Sequence, residues 1–242
     1  MQARKTILVL TAAVLSLGTT FVLAGDVPSA RASSSGGAVP LKFSRIYWEY
    51  NASANDLGVH VSLDGEDWRR LKIVNPKHRP IFTVRGKGPY RNLGMTELFF
   101  EGAEPSLADF PLEDLLALFP EGGYDFEGRT VDGGTLESTA TFSHAVPAGP
   151  VVSAAVGPGD SLVISWTAVT APPAGFPALP INIAGYQVIV GLFQVTVPGT
   201  TTSVTVSPEF VASLAPGEQP FEVLAIEVSG NQTLTEGTFV KP

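Results

Sequence analysis

The chain has 242 residues, of which 15 are lysine or arginine and 23 are aspartate or glutamate, so its formal net charge at pH 7 is −8. It has no cysteine, which excludes a disulfide framework, a thiolate nucleophile, a thiolate metal site and a lipid-bearing lipoprotein cysteine. An acidic surface repels phosphate groups, so we expect neither nucleic acid nor an anionic membrane as a partner.

Residues 1–32 have the pattern of an export signal. Arg4 and Lys5 precede an apolar run over residues 6–24, and small residues suited to cleavage end at Ala24 and again at Ala32. The run is also just long enough to span a bilayer, so an uncleaved anchor is the alternative. We predict cleavage, a secreted or periplasmic protein, and no stable membrane insertion afterwards.

Charge divides the remaining chain into two parts. Residues 33–40 have the composition of a flexible linker. Residues 41–146 hold 11 Lys/Arg and 16 Asp/Glu, whereas residues 149–242 hold one lysine and six acids. The shift falls at a Pro- and Gly-rich stretch, 147–150, which we take as a domain boundary. We therefore predict a first module over 41–146 and a second over 147–242.

The first module reads as short strands between Gly- and Pro-rich turns. Most of its apolar runs alternate with polar residues, as half-buried strands do. One helix is predicted from Pro111 to Phe119, because apolar residues repeat there at helical spacing and Pro120 follows. The predicted strands are 43–50, 58–63, 70–74, 81–84, 97–101, 124–131 and 136–144. The fold class is all-β, with two β-sandwich domains in tandem and one short helix in the first.

The second module is organised around Trp166. Leu162, Ile164 and Trp166 alternate with polar or smaller residues, and residues 183–190 continue the apolar side after a proline-rich loop, 171–180. We expect two strands with Trp166 at the centre of the core, and only strands and turns in the rest of the module.

Residues 149–242 resemble a fibronectin type III domain. The resemblance rests on Trp166 in the second strand, Tyr186 in the third, and a Leu-Ala-Pro-Gly turn at 214–217 that leads into Phe221. It implies a β-sandwich and a secreted, modular context, but no activity. The family commonly has a tyrosine after this turn, so the presence of Phe221 implies that the tyrosine's bond to the backbone is missing or replaced.

The first module has two weaker resemblances. Tyr124 follows Pro120-Glu121-Gly122-Gly123 and is similar to the turn-then-tyrosine corner of immunoglobulin-like sandwiches. The module also resembles part of exported bacterial proteins of unknown function. Ser62–Trp68 is similar to an Asp-box hairpin and to a hairpin of discoidin-like sandwiches, with its turn at Asp64-Gly65.

Candidate chemistry in the sequence is sparse. Oxygen-bearing side chains on two loops suggest calcium: Asn55, Asp56, Asp64, Glu66 and Asp67. The two loops lie at opposite ends of one strand, so turn residues are the favoured interpretation. Glu97 and Glu101 are about 13 Å apart along a strand, too far for a glycosidase pair. The histidines at 60, 78 and 144 lack metal-type spacing, and His60 is expected to face outward. We predict no catalytic residues, no metal site and no cofactor.

Aromatic residues are the remaining candidates for binding. Trp48, Tyr50, Trp68 and Tyr90 are numerous for one small module, and exposed rings beside polar groups commonly bind sugars or peptides. Strand alternation places Trp48 and Tyr50 on the face opposite Tyr47, so one of the two sets is expected in the core. These four residues are the predicted ligand-binding site, with core packing as the alternative.

The sequence therefore predicts a non-enzymatic interaction module, secreted or periplasmic, whose partner is an unknown protein or glycan at the cell surface. A carbohydrate-binding accessory protein is the alternative, and a hydrolase with an unrecognised site is a third hypothesis.

Overall fold

The computed structural model describes residues 37–242, so the predicted signal and the first half of the predicted linker, residues 33–36, lie outside the described residues. The first half contains β1 (Phe43–Asn51), β2 (Asp56–Val74), β3 (Pro80–Arg85), α1 (Pro89–Leu93), β4 (Met95–Glu101), α2 (Leu112–Leu118), β5 (Gly122–Thr130) and β6 (Thr135–Phe142). The second half contains β7 (Val152–Val156), a 3₁₀ turn (Pro158–Asp160), β8 (Leu162–Trp166), β9 (Ile183–Val190), β10 (Phe193–Pro198), β11 (Ser203–Val206), α3 (Pro208–Ser213), β12 (Gly217–Glu227) and β13 (Gln232–Lys241).

The all-β prediction is confirmed, and α2 lies where the sequence predicted a helix. Two further short helices, α1 and α3, were not predicted. They have five and six residues, too few for a 3.6-residue periodicity to show in the sequence. Within residues 37–242, no helix has the length and apolar character needed to cross a bilayer.

The long strand β2 organises the first half. Its first part pairs with β1 on one side and β4 on the other, and its second part pairs with β3 and β5. Strand β2 therefore belongs to both groups of strands, and the sheet folds over itself and encloses an apolar core. The largest fully buried side chains of this core are Trp48, Trp68, Tyr124, Phe126 and Phe142.

The predicted hairpin at Ser62–Trp68 is wrong, because β2 continues through it. Gly65 is buried in the strand, and a Cβ on it would lie 2.6 Å from Leu41 Cδ2. The pairing register with β4 shifts between Asp64 and Trp68, so the Asp-Gly pair marks an irregularity in a strand instead of a turn.

The second half is a sandwich of three strands against four. Strands β11, β8 and β7 form one sheet, and β10, β9, β12 and β13 form one end of the larger sheet. Trp166 lies in the core between them, with its ring centroid 5.3 Å from that of Tyr186. This arrangement confirms the fibronectin type III-like fold. Phe221 lacks a hydroxyl and instead packs its ring where a side chain on Gly237 would stand.

The large sheet is continuous across the predicted domain boundary. Strand β1 pairs in parallel with β13, and each half keeps its own hydrophobic core cluster. Asn231 links the halves: its Oδ1 accepts from the Trp48 backbone N–H at 2.9 Å, and its Nδ2 donates to the carbonyls of Ser143 and Ala145. The boundary at 147–150 stays a prediction.

Candidate functional site

Three arginines form a row across adjacent strands at the second part of β2. Arg70 on β2 is the register partner of Arg85 on β3 and of Arg129 on β5. Register partners on neighbouring strands project from the same face of the sheet. Like charges placed side by side in this way repel one another, so packing alone does not account for the row.

Two more arginines, Arg69 and Arg91, lie beside this row, one at a β-bulge and the other on α1. The β2–β5 register shifts between Trp68 and Arg70, which leaves Arg69 as an extra residue at a bulge. Arg91 comes from α1, which can lie close to the sheet because Gly86 has no side chain. A Cβ on Gly86 would lie 2.6 Å from the Tyr90 carbonyl oxygen.

The five arginines line one cavity of about 270 Å³, together with Gly86. Within residues 37–242, no carboxylate forms an ion pair with any of these five guanidinium groups. Arg129 donates a hydrogen bond of 2.8 Å to Thr135 Oγ1, which holds one of them in place. In a chain with a net charge of −8, this is a concentrated and unneutralised positive surface. We call it the arginine cavity.

A second cavity, of about 320 Å³, adjoins the first and shares Arg70 and Arg129 with it. Lys72 and Glu127 lie in its lining and form an ion pair of 2.8 Å. Because both cavities are lined by Arg70 and Arg129, they form one continuous groove.

Guanidinium groups are planar and present paired donors that match carboxylate, sulfate and phosphate oxygens. Five of them without an ion-pair partner among residues 37–242 can bind an anionic group by charge-assisted hydrogen bonds. The lining of the arginine cavity consists of guanidinium groups and Gly86.

The aromatic residues predicted to bind a ligand lie elsewhere. Trp48 and Trp68 are fully buried, and Tyr50 is 8% exposed. Tyr90, on α1, is 62% exposed and is the one member of the four that presents its ring to solvent. The structure does not bring the four onto a common surface, because β1 and β2 point the two tryptophans into the core.

Sequence reasoning missed the arginine cavity. The adjacent pair Arg69-Arg70 is visible in the sequence, but the strand register that places Arg85 and Arg129 beside Arg70 is not. The register shift between Trp68 and Arg70 also cannot be predicted from the alternation of apolar and polar residues, because a bulge changes which face a residue occupies.

The expectation that His60 faces outward is wrong in one respect. His60 does point away from the apolar core, but it is 3% exposed. Its ring lies 5.2 Å from the Tyr47 ring and 5.9 Å from the Phe99 ring, centroid to centroid. Its Nε2 lies 2.9 Å from Glu104 Oε1. Neighbours on β1, on β4 and in the segment after β4 cover it, which alternation within one strand cannot reveal.

Burial and neighbouring charges shift the pKa values of Glu49, His60 and Tyr47, which lie close together on β1 and β2. Desolvation raises the pKa of the Glu49 carboxyl, although His60 and a hydrogen bond from Gln232 oppose the rise. For His60, burial lowers the pKa, but the Glu104 hydrogen bond and the charges of nearby glutamates outweigh it and raise the pKa overall. Burial also raises the pKa of Tyr47 to about 12.

No family model and no curated protein matches this chain. Among solved structures, it is similar to a two-domain fibronectin type III segment of chicken tenascin, with 16% identity and a TM-score of 0.28 over 83% of this chain and 99% of that one. It is also similar to the fibronectin(III)-like modules of Clostridium thermocellum CbhA, with 11% identity and a TM-score of 0.28 over 81% of this chain and 90% of that one.

The spore cortex lytic enzyme SleM of Clostridium perfringens matches with 16% identity and a TM-score of 0.32. That match covers 39% of this chain and 28% of SleM. Identities and TM-scores are low in all three pairs, so the fold of this chain rests on its own strand pairing.

Proposed function

We propose that this protein is a non-catalytic interaction module, exported from the cytoplasm, that binds an acidic segment of a partner protein in the arginine cavity. The observation that carries the proposal is the row of Arg70, Arg85 and Arg129, three like charges on neighbouring strands without a carboxylate partner among the described residues. A bound anion would offset their repulsion.

The cavity favours carboxylates over neutral ligands. Its lining offers guanidinium donors and no aromatic platform on which a neutral sugar ring could stack. Trp48 and Trp68, which the sequence suggested for that role, would have to leave the core to reach a ligand. Binding by the predicted aromatic residues stays a prediction, with Tyr90 as its accessible member.

The absence of catalysis is part of the proposal. Among the described residues, His60 contacts Glu104, and His144 Nε2 lies 2.8 Å from the Phe119 carbonyl oxygen. Neither histidine contacts a serine or threonine hydroxyl that it could activate as a nucleophile.

An acidic polysaccharide is the second candidate ligand, in keeping with a carbohydrate-binding accessory protein. The second cavity extends the groove beyond Arg70 and Arg129 towards Thr135, which gives room for a longer chain, but Glu127 and Glu137 also line it. A uronate would therefore bind in the arginine cavity itself.

The test is a fluorescence anisotropy titration with a labelled octaglutamate peptide at low and at high salt. We expect salt-sensitive binding that weakens by at least about 10-fold in Arg70→Gln and in Arg129→Gln, because each loses a charge-assisted hydrogen bond. Arg79→Gln is the matched control: Arg79 is exposed in the turn before β3, at the far end of that strand from Arg85.

Equal affinity in all variants, or no binding at low salt, would overturn the proposal. Competition with a galacturonate oligosaccharide separates the two ligands: the polysaccharide alternative requires that it displace the peptide at lower concentration. Binding of a neutral oligosaccharide that is lost in Tyr90→Ala would favour the aromatic residues instead.

Export is tested separately. Mass spectrometry of the protein recovered from the medium or periplasm of the native host should find a mature amino terminus after Ala24 or Ala32. Recovery of the intact chain in the membrane fraction would favour the uncleaved anchor.

A further inference from the structure

Three side chains with metal-binding groups meet on the first part of β2, apart from the arginine cavity on its second part. They are Glu49 on β1, His60 on β2 and Glu104 in the segment after β4. One ligand atom from each lies within 4.8 Å of the other two. This group is not visible in the sequence, because its members are spread over 55 positions of chain and share no motif spacing.

The sheet places each of the three. Glu49 is the register partner of Gly58 on β2 and of Gln232 on β13, and His60 follows Gly58 on the same face. Glu104 crosses over Gly58 to reach the histidine. A Cβ at Gly58 would lie 2.4 Å from Glu104 Cγ, so the absence of a side chain at this position is what allows the contact.

His60 and Glu49 are buried and Glu104 is partly buried, and the charge of Arg45 acts on Glu49 without forming an ion pair. The side chains of His60 and Glu49 are 4% and 8% exposed, and that of Glu104 is 26% exposed. Within residues 37–242, no lysine or arginine forms an ion pair with either glutamate. Arg45 is engaged elsewhere: its guanidinium lies 3.9 Å above the Tyr47 ring and donates to the Gly230 carbonyl.

A buried carboxylate and a partly buried one beside a single imidazole are costly to desolvate unless a positive charge joins them. The Gln232 amide donates a hydrogen bond to Glu49 Oε2, which orients that carboxylate. Hydrogen bonds of this kind commonly fix the ligands of metal sites.

We propose that Glu49, His60 and Glu104 bind a divalent transition-metal ion, with zinc as the best fit. One imidazole and two carboxylates suit zinc better than calcium, which prefers oxygen ligands alone. Tetrahedral zinc places its ligand atoms about 3.3 Å apart. His60 Nε2 and Glu104 Oε1, at 2.9 Å, already lie near that spacing. One imidazole nitrogen binds one ion, so the ion lies at Nε2. Glu49, whose Oε2 is 3.9 Å from the other nitrogen, Nδ1, has to rotate towards Nε2 to bind the same ion.

The partly exposed Glu104 gives the ion a route from solvent, and a water molecule would complete the coordination. Metal binding would tie β1, β2 and the segment after β4 together, so the ion stabilises the fold at this point.

The test uses the exported protein without an affinity tag, stripped with EDTA and dialysed. We expect isothermal titration with Zn²⁺ to give one equivalent bound, and the melting temperature to rise with added zinc. Glu104→Gln removes one ligand with little change of shape, and Gly58→Ala displaces the same carboxylate. Both should weaken zinc binding by at least about 10-fold.

His78→Asn is the matched control. His78 is exposed in the β2–β3 turn at a positive φ of 55°, which asparagine tolerates, so this variant should bind zinc as the parent does. A Co²⁺ titration of the unmodified protein gives an independent readout, because a tetrahedral N/O site produces intense visible absorption bands.

Failure to bind zinc or cobalt above pH 7 would overturn the proposal and leave a proton as the only charge between His60 and its two glutamates. Equal affinity in Glu104→Gln and the parent would overturn it as well. Neither result bears on the arginine cavity, whose peptide binding is measured in the presence of EDTA.

Discussion

Arg70 on β2 and Arg129 on β5 are register partners, so two guanidinium groups stand side by side on one face of the sheet. Arg85 adds a third from the opposite side of Arg70. Repulsion in such a row acts against folding, and the anion proposed to bind there would offset it.

The first prediction concerns the stability cost of this row. Arg70→Gln should raise the free energy of unfolding by about 0.5 kcal/mol at low salt, because it removes a like charge between two others. In 1 M salt, where the screening length is about 3 Å, the difference should vanish. Urea denaturation at both salt concentrations measures it, with Arg79→Gln as the control. A loss of stability at low salt would contradict the interpretation of the row as unneutralised.

The second prediction concerns the link between the halves. Asn231→Ala should lower the free energy of unfolding by about 3 kcal/mol, because it leaves the Trp48 N–H and the Ser143 and Ala145 carbonyls without their partner. Asn231 is 1% exposed, so water cannot easily replace it. Denaturation followed by tryptophan fluorescence is the measurement, with exposed Asn92→Ala as the control. Equal stability of the two variants would show that the link contributes little.

The third prediction concerns the tyrosine corner. Tyr124 OH donates to the Pro120 carbonyl at 3.0 Å, which confirms the contact expected from the turn-then-tyrosine pattern. Tyr124→Phe should lower the free energy of unfolding by about 1 kcal/mol while leaving the fold unchanged. Tyr90→Phe, at an exposed ring, should change it by much less. Circular dichroism and chemical denaturation test both, and an unchanged stability in Tyr124→Phe would count against the bond.

The fourth prediction concerns pH. Burial, together with the charges of Glu104 and Glu236, raises the pKa of Asp56 to about 6. The folded state therefore holds a proton that the unfolded state has already released, and stability falls as pH rises from about 4 to about 6. The raised pKa values of Glu49 and His60 act in the same direction.

Asp56→Asn should therefore be more stable than the parent at pH 7, by about 1 kcal/mol after solvent screening, and the two should converge near pH 4. Thermal unfolding across this range measures the difference. Ser106→Ala is the control, because Ser106 bridges to Asp56 through the backbone and carries no titratable group. A parallel offset at all pH values in Asp56→Asn would contradict the assignment.

Some local features could be predicted from the sequence because they depend on neighbours in the chain. Alternating apolar residues defined most strands, helical spacing defined α2, and the Pro120–Gly123 turn placed Tyr124 where its hydroxyl meets the backbone. Local patterns failed where the backbone departs from regular alternation. Gly65 was read as part of a turn, whereas it lets β2 run past Leu41.

The two candidate sites could not be predicted from the sequence, because each depends on contacts between segments that are distant in the chain. Arg70, Arg85 and Arg129 become neighbours only through the pairing of β2 with β3 and β5. Glu49, His60 and Glu104 meet only because β1, β2 and the segment after β4 adjoin.

The sequence by itself determined that this is an all-β, cysteine-free, acidic protein, because composition and residue periodicity act locally. The fold of its second half was implied by the resemblance to fibronectin type III domains. The tertiary structure decided that β1 joins β13 in one sheet, that Trp48 and Trp68 are core residues, and that the arginines gather in one cavity. Strand pairing is non-local, and a shift of one residue in register would have sent each of these side chains to the other face.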